Sequence, residues 1–128
     1  MFAPLILLTV ADQHLLGQRG EAVAADFLVA KGYTILHRNW RCGHREVDLV
    51  ALDPQGFLVF VEVKARSSTE FGFPEAAVRG SKRQHFRQAG EVFLLDNPQY
   101  PTLQFDVISV LFRGNEVTEI KHFEADWY

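Results

Sequence analysis

Two runs of strand-forming residues, Glu46–Leu52 and Phe57–Lys64, are separated only by Asp53-Pro54-Gln55-Gly56. Both runs are dominated by Val, Leu, Phe and Ala, and Pro and Gly punctuate the gap between them. Pro in the second position and Gly in the fourth suit a type I turn closed by a left-handed Gly, the three-residue bulged hairpin. This turn sets Asp53 opposite Phe57, and counting back along both strands sets Asp48 opposite Glu62 on one face. A loop of two residues would throw them onto opposite faces, because a register slip of one residue reverses every side chain. Lys64 lies two residues beyond Glu62 and shares its face. Three ionisable groups therefore converge on an otherwise apolar hairpin.

Paired carboxylates in such a setting repel, and one tends to retain its proton. A divalent cation between them resolves the conflict, and an oxygen-rich site of this kind suits Mg²⁺ or Mn²⁺. An ion so held polarises a phosphoryl oxygen and acidifies bound water. Lys64 would orient that water and offset charge on a scissile phosphate. The structural alternative is an ion pair in which Lys64 neutralises one carboxylate at a strand end. Spacing alone leaves both readings open.

The surrounding chain reads as one domain, residues 1–128, with no internal repeat or linker. The expected elements are a helix over Ala11–Lys31 with Asp12 as N-cap and Gly32 as its stop, and a first strand over Tyr33–Trp40. After the hairpin come a loop over Glu70–Gly80 with a short turn at Pro74–Val78, and a helix from Ser81 to about Leu95. Strands over Leu103–Phe112 and Val117–His122 follow, joined at Gly114-Asn115. The first helix groups Gly17, Gly20, Ala24, Phe27 and Leu28 on one side, with Glu21 at its margin. The second groups Phe86, Ala89, Gly90, Phe93 and Leu94. The order α-β-β-β-α-β-β implies an α/β fold, a mixed sheet with helices packed on it.

Composition narrows the setting. A single cysteine among 128 residues excludes a disulfide scaffold. The apolar run Met1–Val10 is too short to span a bilayer and lacks a basic start, so the expectation is an N-terminal flank, no membrane and a cytoplasmic address. Net charge is −3, yet the segment Arg38–Arg87 carries nine basic against six acidic residues. That imbalance suggests one electropositive face on an acidic protein. Cys42 and His44 have no second ligand pair at zinc spacing. Asp106, an acid in an apolar strand, is expected to hydrogen-bond backbone or an arginine. His85 is read as a helix-surface residue, Glu46 as supporting or structural, and Trp40 and Trp127 as core.

Gly20-Glu21, Arg38-Asn39-Trp40, Glu46-Val47-Asp48-Leu49-Val50, Phe60-Val61-Glu62-Val63-Lys64-Ala65-Arg66, Phe71-Gly72, Lys82 and Phe105-Asp106-Val107-Ile108 occur in that order. In these blocks, covering roughly Gly17–Phe112, the chain resembles the YraN-like family of small bacterial proteins with a restriction-endonuclease-like core of the PD-(D/E)xK type. More distantly it is similar to archaeal Holliday junction resolvases. The resemblance implies a motif-bearing core of about 12–112, a central mixed sheet flanked by helices in α-β-β-β-α-β order, and metal-dependent hydrolysis of DNA phosphodiesters, on branched or structured DNA in recombination or repair. It implies Asp48 and Glu62 as metal ligands, Lys64 as the active-site lysine, and Glu21 as the helix-borne acid completing the catalytic set. Lys82 matches a basic position suited to phosphate; Arg83, Arg87 and Arg66 are further candidates for nucleic-acid contact. DNA is the expected partner, RNA stays open, and a homodimer would suit a two-fold junction. Arg45 stands where the family usually has Gly, and Gln104 where it usually has Arg. A rival reading is a non-catalytic nucleic-acid-binding or adaptor module that keeps the fold; a third is a scaffold whose carboxylates serve stability alone.

Overall fold

The computed structural model describes residues 10–67 and 81–127, with side chains for 12–67 and 85–124. The N-terminal flank up to Thr9, the loop expected over Glu70–Gly80 and the side chains of Lys82, Arg83 and Trp127 lie outside the described residues. The element order is α1 (Val10–Ala30), β1 (Thr34–Cys42), β2 (Arg45–Leu52), β3 (Leu58–Ser67), α2 (Ser81–Asp96), β4 (Leu103–Arg113) and β5 (Glu116–Trp127). This is the order expected from the sequence. Two details differ. Asp12 sits inside the first turn of α1, where its charge opposes the positive end of the helix dipole, rather than ahead of it. The last strand runs on to Trp127, because β4 is long enough to pair it from Glu116 onward.

The turn between β2 and β3 forms as the spacing requires. Asp53 N–H donates to Phe57 O at 2.8 Å and Gly56 N–H to Asp53 O at 2.9 Å, with Gly56 at a φ of 90°. Asp53 Oδ1 accepts from the backbone N–H of Gln55 and of Phe57, both at 2.9 Å. Asp53 thus satisfies the loop's own donors. The register is Leu52↔Leu58 through Leu49↔Val61.

The five strands form one sheet in the order β1-β2-β3-β4-β5. Pairing is antiparallel except for β3 and β4, which run parallel because α2 carries the chain across one face of the sheet. α1 ends at Gly32, with Gly32 N–H donating to Val29 O and Tyr33 N–H to Leu28 O, both at 3.0 Å. These bonds satisfy carbonyls that the helix end would otherwise leave bare.

Strand alternation gives two cores. On one face Ala24, Ala25 and Leu28 of α1 pack against Leu49, Ala51, Val59, Val61, Ile108, Val110 and Phe112. On the other, Phe86, Ala89 and Phe93 of α2 pack against Val50, Leu58, Phe60, Leu103, Phe105 and Val107. Trp40 leans on this second core, its ring 5.2 Å from that of Phe93, so its expected core role holds.

Helix α1 touches the sheet most closely at Gly20. A Cβ there would lie 2.5 Å from Ala65 Cβ on β3, an atom fixed to the backbone. A Cβ on Gly90 in α2 would meet only the tip of the Leu103 side chain, which can turn away. Gly20→Ala is expected to lower stability by about 1–3 kcal/mol, the usual cost of overpacking, and Gly90→Ala by less. Urea denaturation of the two variants beside the parent measures the difference.

Candidate functional site

The site begins where the β2–β3 ladder stops. Beyond Leu49↔Val61, Asp48 substitutes its side chain for the next backbone partner, Oδ2 accepting from Val63 N–H at 2.7 Å. On the other side of β2, Arg38 and Trp40 pair with Leu49 and Val47 and so bracket Asn39 beside Asp48. Asn39 has a φ of 52°, a left-handed conformation that Asn adopts more readily than other side-chain-bearing residues. Its amide nitrogen faces Glu46 Oε1 at 2.9 Å and Glu21 Oε2 at 3.0 Å. Asn39 thereby joins a helix carboxylate to a strand carboxylate. Glu46 also pairs with Arg41 at 3.4 Å, in keeping with a supporting role.

Glu21 reaches the same place from α1, immediately after the close approach at Gly20. Its carboxyl lies beside that of Asp48, and both line the same cleft. Asp48 is pushed up to about 7, chiefly by burial; the Val63 N–H bond opposes the rise, and Glu21, Glu62 and Glu46 add to it. Glu21 is raised too, again first by burial, with the Asn39 and Asp48 bonds pulling the other way. The expected pair is Asp48 and Glu62; Asp48 is the member pushed up, first by burial, and Glu21 from α1 adds more to the rise than Glu62 does.

A cavity of about 540 Å³ opens over these groups between the two helices. Glu21, Glu46, Asp48 and Glu62 line it on the acidic side. Glu62 is only 4% exposed. Arg41, His44, Arg45 and His85 contribute nitrogen-bearing side chains to the same cavity. The hairpin and α1 therefore bring together Glu21, Asp48 and Glu62. Lys64, half-buried two residues further along β3, lies outside the cavity lining, and Arg66 is half-buried beyond it. Arg87 is on the exposed side of α2, 4.0 Å from Glu91. Glu21, Glu46, Asp48 and Glu62 all present carboxylate oxygens to this cleft.

A second group lies under the end of α1. Asp106 is completely buried, and its Oδ1 accepts from Gln104 Nε2 at 2.6 Å. Its Oδ2 lies 2.7 Å from His122 Nε2, and Lys31 Nζ is 2.8 Å from His122 Nδ1. The expectation of a backbone or arginine partner is corrected here: Gln104 and an imidazole from β5 hold this acid. Neighbouring strands made that possible, since Asp106 pairs with Glu124, two residues from His122. Asp106, His122 and Glu124 form a carboxylate–imidazole group whose ligand atoms lie within 4.8 Å of one another. Lys31 and Asp106 already occupy both imidazole nitrogens. Sequence reading missed His122, Lys31 and the bridging role of Asn39, all of which depend on strand neighbours far apart in the chain.

Fold and site together define a small α/β protein with a carboxylate-lined cleft where a mixed sheet splays between two helices. The profile of a family described as "Uncharacterised protein family UPF0102" matches residues 20–110, and the chain belongs to that family. The similarity to YraN-like proteins is thereby borne out. A UPF0102 protein of Desulforamulus reducens is 41% identical over 116 residues, covering 88% of this chain and 95% of that one. One from Nocardia farcinica is 42% identical over 127 residues, 98% of each. Among solved structures, "The structure of Pyrococcus Furiosus SfsA in complex with Ca2+" is similar with a TM-score of 0.40 and 14% identity. That match covers 87% of this chain and spans 62% of the other. Among the described residues no helix is long and apolar enough to cross a membrane.

Two outcomes follow from the buried acids. Asp48 has an ordinary value of 3.8 and titrates at about 7 in the fold, so between them the folded state binds more protons than the unfolded chain. Its contribution to stability is complete below the lower value and is lost as pH rises through the upper one. Thermal melts of the metal-free protein from about pH 4 to 7 should show that decline, and Asp48→Asn should flatten it. His122→Ala removes one partner of a buried pair and should cost about 3 kcal/mol in urea denaturation.

Proposed function

We propose that this protein is a metal-dependent endonuclease that hydrolyses phosphodiester bonds of DNA, acting on branched or structured DNA in recombination or repair. The observation that carries the reading is the convergence of Glu21, Glu46, Asp48 and Glu62 on one cavity, where burial pushes Asp48 up to about 7. A buried acid that holds its proton gives it up to a hard divalent cation, which then supplies the missing countercharge. Asp48 and Glu62 are the residues that would hold Mg²⁺ or Mn²⁺. Bound there, the ion would polarise a phosphoryl oxygen and lower the pKa of water.

The chain's own residues do the rest. Glu21 completes the acidic set from α1 and takes up or releases a proton. Lys64, from the same strand face as Glu62, orients the attacking water. The water oxygen bonds to phosphorus, the bond to the 3′ oxygen breaks, and a 5′ phosphate remains. Arg66, Lys82, Arg83 and Arg87 hold the backbone through phosphate contacts, which makes binding fall steeply with salt. The whole chain, 1–128, acts as one nuclease domain with its working core at about 12–112, in the cytoplasm. A homodimer suits a substrate with two-fold symmetry.

The second reading is a nucleic-acid-binding or adaptor module that keeps the fold without cleaving. The placement of Lys64 outside the cavity lining favours it. Labelled duplex, single-stranded, flap and four-way DNA, incubated with Mg²⁺ or Mn²⁺, separates the two. Cleavage by the parent, reduced about 100-fold or more in Glu62→Ala and Lys64→Ala, supports the nuclease. DNA binding without cleavage of any form, by parent and variants alike, supports the adaptor.

A further inference from the structure

Arg45 is out of keeping with the cations around it. It stands at the start of β2, half-buried in the cavity wall, and its Nη2 donates to Gln88 Oε1 on α2. Its Nε–H is buried and has no hydrogen-bond partner among the described residues. Arg41, the other arginine lining the cavity, is paired with Glu46 at 3.4 Å. Arg45 has no carboxylate within ion-pair distance among the described residues, although four carboxylates line the same cavity. Glu21 and Glu46 face Asn39, Glu46 also pairs with Arg41, and Asp48 accepts from Val63 N–H.

A guanidinium cannot shed its charge, and burying one without an anion is costly. Gln88 does not relieve this, because an amide oxygen accepts one proton and supplies no countercharge. What it does is fix the fork. With one Nη2 proton engaged on α2, the plane of the group is set and Nε–H is left over, which is the donor edge that receives a tetrahedral oxyanion. A carboxylate ligand would add a further acid to a cavity that already holds four. A phosphate ester suits the site better, since the same group can face Arg45 on one side and a cation on Asp48 and Glu62 on the other.

We infer that Arg45, positioned by Gln88, binds a phosphate group of the nucleic-acid strand within the cavity. The inference rests on the nuclease reading for the neighbouring cation, and it adds the residue that recognises the phosphate. Arg45 is a binding residue, and Gln88 is a positioning residue that acts through it.

The test uses the full chain labelled with ¹⁵N, in which the Nε–H resonance of Arg45 is assigned by its loss in Arg45→Lys. Inorganic phosphate, a 5′-phosphorylated dinucleotide and the same dinucleotide without its terminal phosphate are titrated separately in the presence of Mg²⁺. The Arg45 resonance should move with the dinucleotides. Movement with both marks an internal diester as the ligand, and movement with the phosphorylated one and inorganic phosphate marks a strand end. Affinity should fall about tenfold in Arg45→Lys, which keeps the charge but loses the fork, and by less in Gln88→Ala, with melting curves confirming that both variants fold. An unmoved Arg45 resonance during saturable binding, or equal affinity for parent and Arg45→Lys, overturns the assignment, as does a failure of all three ligands to bind. Cleavage that proceeds with an unchanged KM in Arg45→Lys would sink this inference and leave the nuclease intact. A shifted Arg45 in a protein that cuts nothing would do the reverse.

Discussion

The bond from Val63 N–H to the Asp48 carboxylate holds the arrangement together. It occurs at the point where two antiparallel strands stop exchanging backbone bonds and begin to separate. A side chain stands in for the missing carbonyl, so no donor is stranded, and the carboxylate is drawn into the sheet rather than out to solvent. Separation of the strands opens the cleft. Burial of Asp48 there raises its affinity for a proton, and Glu21 from the helix above finds a partner. Cleft, protonation and helix contact thus follow from one substitution of side chain for backbone.

Much of this is legible in the sequence. The Asp53–Gly56 turn fixes register, register fixes the face of each residue, and Asp48 and Glu62 fall on one face as a result. Helix periodicity placed Ala24, Phe27 and Leu28 together and put Glu21 near the edge. Other parts were not legible, for a common reason. Asn39 matters because it adopts a left-handed conformation beside Asp48, and an Asn in a strand gives no sign of that. The Asp106–His122–Lys31 chain joins the end of a helix to two strands late in the sequence, and no local pattern encodes it. Asp12 and the true end of β5 are boundary effects, decided by pairing and helix length rather than by residue type.

Asp106 is fully buried and Asp48 partly so, and the fold treats the two differently. Asp106 lies in the apolar layer beneath α1 with every oxygen assigned, one to Gln104 and one to His122. Asp48 lies at an opening beside another acid, its carboxyl pushed up by burial. The first arrangement is closed and self-sufficient, whereas the second leaves its acids facing a cavity. This contrast separates a carboxylate that maintains a fold from one available for chemistry.

Gly20 brings α1 down onto Ala65 with no side chain between them, and Glu21 is the next residue. The helix is therefore seated at a hard stop rather than on a cushion of compressible methyl groups. Its height above the sheet at that point is set by backbone against Cβ, and the reach of Glu21 toward Asp48 is calibrated by that height. A residue that carries no functional group thus sets the spacing of two that do, and thickening the contact by a single carbon would lift one wall of the cleft away from the other.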